Sequence, residues 1–350
     1  MLAGVHNSDL KHEYVSSIPL ESPYDRQIMK DLSRTFPEHE LFKNDAVGQK
    51  TLFRLMKAYA LHDVENGYCQ GMAFVAGILL MQMPEEDAFS VLVTLMDTYG
   101  LRGLFMPGVP LVGLGSHQFE RLLEQHLPDV ATCCKREGVN VSMFLTQWLM
   151  TLFAPSLPLP CVFHIMDYIL AVGQSPDLYH GFLELFFRVA LTLLRDSADE
   201  IVALTFDGIL MHLKGEMKGR YRWVNTDATS DFNSPNAVSQ TLVNSAIGWD
   251  LSLSTLNTWE KQYQSEKDLR ESKQALIDET MDKRRILQQK GDQLDDSIKT
   301  LQARIEQDAS GFREKVEKLE TQAEEYEQRL DRLRVHNVVL NDLVRIHAEG

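Results

Sequence analysis

The sequence predicts an all-α protein in two parts, a multi-helix domain followed by one long coiled-coil helix. Three observations predict this. Through most of residues 1–258 apolar side chains recur every three to four positions, and no run sustains period-two alternation. Composition then shifts abruptly: all twelve prolines and all four cysteines lie in the first part, while residues 259–350 are dense in Glu, Lys, Gln, Asp and Arg.

The elements follow from local signals. Ser22-Pro23-Tyr24-Asp25 reads as a cap, a first-turn proline and a first-turn acid, opening a helix that must stop before Pro37. From Gln49 to Leu61 the residues Leu52, Leu55, Met56, Tyr59 and Ala60 keep helical spacing, and Asn66-Gly67 is a break. An apolar helix is predicted from about Gln70 to Met83, ended by Pro84. Another opens on the acids Glu85, Glu86 and Asp87 and runs to Tyr99. Further helices are predicted over 115–136, 141–153, 159–172, 177–195 and 199–213.

In the tail, Leu287, Leu294 and Leu301 are spaced by sevens, with Ile298 and Ile305 between. The seam resumes as Phe312, Leu319, Tyr326, Leu333 and Leu340, paired with Val316, Ala323, Leu330, Asn337 and Val344. Between Leu301 and Phe312 the repeat shifts by four residues near Asp308–Gly311, a stutter. Two readings stand: self-association through 287–344, or a lone amphipathic helix folded on the domain. So narrow a stripe, with one polar Asn337 suited to fixing register, favours self-association.

Composition excludes several classes. With 50 acidic against 35 basic residues the net charge is −15, so phosphate backbones repel the chain and no nucleic-acid partner is expected. Cys69, Cys133, Cys134 and Cys161 form no C-x-x-C pair, and reduced, mostly buried thiols are expected, with no metal site. No apolar stretch approaches the length of a membrane span, and MLAGVHNSDLKHEY carries neither a secretory nor a myristoylation signal. The expected setting is cytoplasmic. There is no G-x-x-x-x-G-K-[ST] loop, no G-x-S-x-G elbow and no H-E-x-x-H pair. His62, His117, His126, His164, His180 and His212 read as core or surface groups. Arg195, Arg220 and Arg222 make either a local basic patch or a solvated face.

Two segments carry chemistry. One is Ile28-x-x-Asp31-x-x-Arg34, where helical spacing lets an acid brace an arginine. The other is Tyr68-Cys69-Gln70-Gly71-Met72, where a glycine lets the backbone beside a glutamine approach closely. Taken singly, Asp31-x-x-Arg34 reads as a solvated surface pair and Gln70-Gly71 as a cap or turn.

In this order, and with Gly48-Gln49, Lys57-Ala58-Tyr59 and Ala76-Gly77 to Ala88-Phe89 between and after, the chain resembles the TBC domain of Rab GTPase-activating proteins. The wording over 24–215 is most similar to the Evi-5-like and GAPCenA-like subgroup, which also places a coiled coil after the domain. The resemblance implies a TBC-type domain over 23–258, a coiled coil over 259–350, and a divergent or truncated segment over 1–22, which lacks the family's early tryptophan. The family's Trp-Asp pair stands here as Met166-Asp167.

The resemblance further implies that Arg34 and Gln70 are catalytic fingers supplied in trans to a Rab in its GTP form, supported by Ile28, Asp31, Tyr68 and Gly71. No cofactor of its own is expected, since GTP and magnesium belong to the partner. Recruitment to Golgi, endosomal or vesicle membranes would run through partners, making membrane association peripheral. A rival reading keeps the domain as a non-catalytic GTPase-binding or tethering scaffold; the paired Arg34 and Gln70 speak against it.

Overall fold

A computed structural model describes residues 7–43, 47–172, 178–221 and 235–348. Among these residues the chain is helical, with no strand. It divides into two compact units, Met1–Glu266 and Lys267–Gly350.

In the first unit, α1 (Ser8–Ser17) is capped by the Asn7 side chain, which accepts from the amides of Asp9 and Leu10. The sequence reading placed no helix here, because α1 offers the core little beyond Tyr14. That one phenol is fully buried and donates to Glu85 Oε2 at 2.9 Å. Lys57 Nζ secures the following turn by donating to the Ile18 carbonyl at 2.7 Å.

Helix α2 (Asp25–Leu32) begins later than the capping signal suggested. Ser22 Oγ accepts from Tyr24 N at 3.2 Å, so the serine organises the turn that precedes the helix. Helices α3 (Val47–His62), α4 (Met72–Leu80) and α5 (Glu85–Asp97) pack successively on one another. The 3-10 turn Leu101–Leu104 leads to α6 (Pro110–His126) and α7 (Pro128–Glu137). The single helix predicted over 115–136 is two, because Leu127 precedes Pro128 and is driven out of helical geometry, at φ −135° and ψ 62°.

Next come α8 (Ser142–Thr151), α9 (Leu159–Val172), α10 (Leu178–Asp196), α11 (Ala198–Val202) and α12 (Phe206–Met211). The helix predicted over 199–213 is therefore interrupted as well. A π-turn, His212–Glu216, and α13 (Met217–Arg220) follow. Of the alternatives for Arg195, Arg220 and Arg222, a local basic patch or a solvated face, the described residues favour the solvated face. Arg195 pairs with Asp196 and Arg220 with Glu200, while Arg222 lies outside the described residues.

Aromatic packing fixes the middle of this unit. Trp148 is fully buried and donates to the Leu213 carbonyl at 3.1 Å, and Phe153 stacks on Phe186 with ring centroids 4.5 Å apart. Helix α14 (Pro235–Ile247) packs on α9 and α10. Gln118 Nε2 donates to the Leu256 carbonyl at 2.9 Å, holding the start of α15 (Leu253–Ala348).

In the second unit α15 continues unbroken through Gly291 and the Ser310-Gly311 stutter. Its seam side chains from Leu287 to Leu333 are exposed; those of Leu340 and Val344 lie outside the described ones.

Candidate functional site: a cleft shared by Arg34 and Gln70

Ile28 and Asp31 both face inward from α2, Ile28 fully buried and Asp31 nearly so. The helix ends at Leu32, and Arg34 stands in the turn beyond it, its amide bonded to the Asp31 carbonyl at 3.3 Å. The Asp31 carboxylate is gripped from two sides. Arg34 Nη2 donates to Oδ1, and the Tyr68 hydroxyl donates to Oδ2 at 2.7 Å. Thr35 Oγ1 adds a bond to the Asp31 carbonyl at 2.7 Å. Arg34 nonetheless keeps half its side chain exposed, at 51%. Its charge is oriented by Asp31 without being buried by it.

Phe36 then adopts a left-handed backbone, φ 48°, which turns the chain away before Pro37. Its ring packs at 5.3 Å from Phe74 and 6.0 Å from Phe42, in the space that the missing side chain of Gly77 leaves open.

Gln70 does not begin the following helix, as predicted, but stands two residues ahead of it. Gly71 takes φ 105°, a conformation closed to most side chains, and a Cβ there would come within 3.0 Å of the Met150 carbonyl oxygen. The apolar run that suggested a longer helix starts properly at Met72. Gln70 is left exposed on a turn, Tyr68 is buried behind it, and Cys69 is half-buried between them. Burial, then the bond to Asp31, pushes the Tyr68 phenol far above its ordinary pKa, so it stays a donor. Burial followed by the nearby Asp31 charge also raises the Cys69 thiol.

The loop carrying Gln70 is anchored at its start. Asp63 receives Arg102 through both oxygens, at 2.7 and 2.9 Å, and accepts from the Asn66 amide at 3.2 Å. Arg102 also reaches Glu65 at 2.7 Å. Burial would raise the Asp63 carboxyl, but these donors outweigh it and hold the group below the usual carboxylate range.

Arg34 and Gln70 line one open cleft of about 770 Å³, with Asp31, Thr35, Gly71 and Phe74 on the same side. Its other wall is the α8 face Ser142, Met143, Thr146, Gln147 and Met150, together with Lys214 from the π-turn. The sequence motifs singled out Arg34 and Gln70, which the fold brings to one cleft. They gave no signal for the α8 face, for Lys214 or for Arg102, which join the site only through the tertiary fold. Among the described residues no group of His, Cys, Asp and Glu could hold a metal ion, and no helix is long and apolar enough to cross a membrane.

The geometry defines a helical scaffold that presents a braced guanidinium and a free carboxamide on one cleft. The Rab-GTPase-TBC domain model matches residues 5–202, so its match takes in most of the segment 1–22. The human ecotropic viral integration site 5 protein homolog is 40% identical over 215 residues, covering 61% of this chain and 25% of its own. Rab GTPase-activating protein eat-17 of Caenorhabditis elegans is 33% identical over 304 residues, covering 87% and 31%. The chain thus spans a quarter to a third of the length of these curated relatives. The crystal structure of the Ypt/Rab-GAP domain of Gyp1p superposes with a TM-score of 0.54 at 18% identity, covering 73% of this chain and 81% of that one, a likeness of fold. The chain belongs to the TBC-domain Rab GTPase-activating protein family, in its Evi5-like branch.

Proposed function

We propose that the protein accelerates GTP hydrolysis by a Rab-type GTPase, contributing Arg34 and Gln70 to the partner's active site. One observation carries this reading: two side chains far apart in sequence, one a fixed cation and one an amide, stand exposed on the same cleft. Phosphoryl transfer needs positioning and charge stabilisation more than a covalent partner. A guanidinium is permanently charged and rich in donors, matching the charge that spreads over the phosphoryl oxygens. Supplied in trans, such an arginine contributes roughly 10³–10⁵ in rate, or about 4–7 kcal/mol of barrier. A glutamine accepts from the attacking water through its carbonyl and donates through its amide.

Asp31 and Tyr68 would act as braces, keeping Arg34 pointed out of α2 and tying its turn to the Gln70 loop. GTP and magnesium come with the partner. The printed names of relatives such as eat-17 support the partner class. In this reading the Rab supplies the membrane address, and α15 joins copies of the chain through its exposed seam.

The test is single-turnover GTP hydrolysis across a panel of purified Rabs. At least one should be accelerated by wild type and not by Arg34→Ala or Arg34→Lys, with Gln70→Ala severely impaired. A Rab whose own switch glutamine is replaced should remain a substrate. A panel that binds the protein but is nowhere accelerated would transfer the domain to the scaffold reading.

A further inference from the structure

The chain carries a net charge of −15, and most of the cations in its helical unit are held by acids of the same unit, as with Arg54–Glu85, Arg102–Asp63, Lys135–Glu124 and Arg188–Glu184. On α2 and at the π-turn the pattern differs. Arg26 and Lys30 are exposed on α2 and have no ion-pair partner among the described residues. They stand one helical turn apart on α2, on the face opposite the buried Ile28, and the same helix leads into the turn that carries Arg34.

On the far wall the π-turn turns Leu213 inward and Lys214 outward into the cleft that holds Arg34 and Gln70. One turn on, Lys218 lines the neighbouring depression of about 630 Å³ beside Phe36, Pro37 and His39. Neither lysine is paired among the described residues. The acids lining these two hollows are Asp31, already gripped by Arg34 and Tyr68, and Glu38.

We propose that Arg26, Lys30, Lys214 and Lys218 form a cationic rim that docks an acidic protein surface surrounding the partner's triphosphate. This rests on the GTPase-activating reading above, and it adds where the partner's charge must lie. Lys214 lines the cleft and Lys218 the depression beside it, while Arg26 and Lys30 stand on the helix that leads into the Arg34 turn. A convex protein carrying its nucleotide into the cleft meets Lys214 in the lining more closely than a flat lipid surface does. Each exposed pair contributes little to affinity on its own. The rim therefore acts mainly on encounter, guiding an anionic partner to an attractive face of a molecule that carries a net negative charge.

The experiment uses the full chain and the most responsive Rab of the panel, with kcat and KM measured from about 50 to 300 mM salt. Arg26→Gln/Lys30→Gln and Lys214→Gln/Lys218→Gln should each lower kcat/KM by about three- to tenfold at low salt and flatten its salt dependence, with kcat retained. Unchanged kcat/KM in both variants, or a fall confined to kcat, overturns the rim while wild-type acceleration leaves the parent reading standing. Loss of binding to phosphatidylserine-containing vesicles with kcat/KM intact would make the rim a lipid surface and likewise overturn the proposal. A wild type that accelerates no Rab defeats the parent reading, and the rim falls with it.

Discussion

The Tyr68 hydroxyl stands 2.7 Å from Asp31 Oδ2, so the loop that presents Gln70 is bonded to the carboxylate that orients Arg34. Arg34 and the Gln70 loop are thereby linked through one acid. Tyr68→Phe removes the link while keeping the buried ring. It should cost about 1–3 kcal/mol of stability, since Asp31 loses a donor in a buried setting. GTPase activation should fall about tenfold or less, mostly in kcat. In an Arg34→Ala background the same change should have little further effect on rate, a coupling that a double-mutant cycle measures.

Arg102 makes a second prediction. Its guanidinium bridges Asp63 and Glu65 at the start of the loop ending in Gln70. Arg102→Gln leaves Asp63 partly buried without its cation and should destabilise by about 2–4 kcal/mol. Because Asp63 is held below the usual carboxylate range, its contribution is present above the ordinary carboxylate pKa and is lost as pH falls through the lowered value. The variant's melting temperature should therefore depend less on pH below about 4. Its kcat should drop, and the drop should not add to that of Gln70→Ala, because both act through one group.

Gly71 is held at φ 105° beside the Met150 carbonyl. Gly71→Ala places a Cβ in a disfavoured backbone region and 3.0 Å from that oxygen. A stability loss of about 1–2 kcal/mol is expected. Activity should suffer more than stability, since the adjustment moves the residue beside Gln70. Thermal melts at matched temperature separate the two effects.

What the sequence reveals and what it hides divides along local and long-range lines. The helix α5 is legible because three acids follow Pro84 and lead into an apolar periodic run. The pairing of Asp31 with Arg34 is legible because it spans three residues. By contrast, Gln70 reads as helical because the apolar run behind it hides the positive φ of Gly71, and α1 escapes because its hold on the core rests on Tyr14. The α8 face and Lys214 reach the cleft only when α4, α8 and the π-turn have packed, and no short-range pattern encodes that meeting.

The thiols give a prediction about alkali. Burial pushes the Cys161 thiol up to about 11, and burial followed by the neighbouring Cys133 does the same for Cys134. A raised value in the folded state means that stability is whole below the ordinary thiol pKa and is lost as pH rises through the folded value. Stability should thus decline between about pH 9 and 11, where the unfolded chain ionises first. Cys161→Ala should flatten that decline. At neutral pH all three buried thiols should resist iodoacetamide until denaturant is added, with the half-buried Cys69 reacting ahead of them.

The seam of α15 yields the last prediction. Leu287, Leu294, Leu301, Phe312 and Leu319 are each 60–68% exposed on an uninterrupted helix, an apolar stripe that water solvates poorly. Association with further copies would remove the stripe from water, with the four-residue shift before Phe312 absorbed by local unwinding rather than by a break in the helix. The full chain should sediment as an oligomer at tens of micromolar. Leu294→Asp/Leu301→Asp should return it to a monomer, because two carboxylates facing their copies across a seam are both desolvated and mutually repelled. Activation of a Rab in solution should be unchanged in that variant, since Arg34 and Gln70 both belong to the unit Met1–Glu266. A wild type that stays monomeric at that concentration removes the self-association assigned to the seam and leaves α15 a solitary helix.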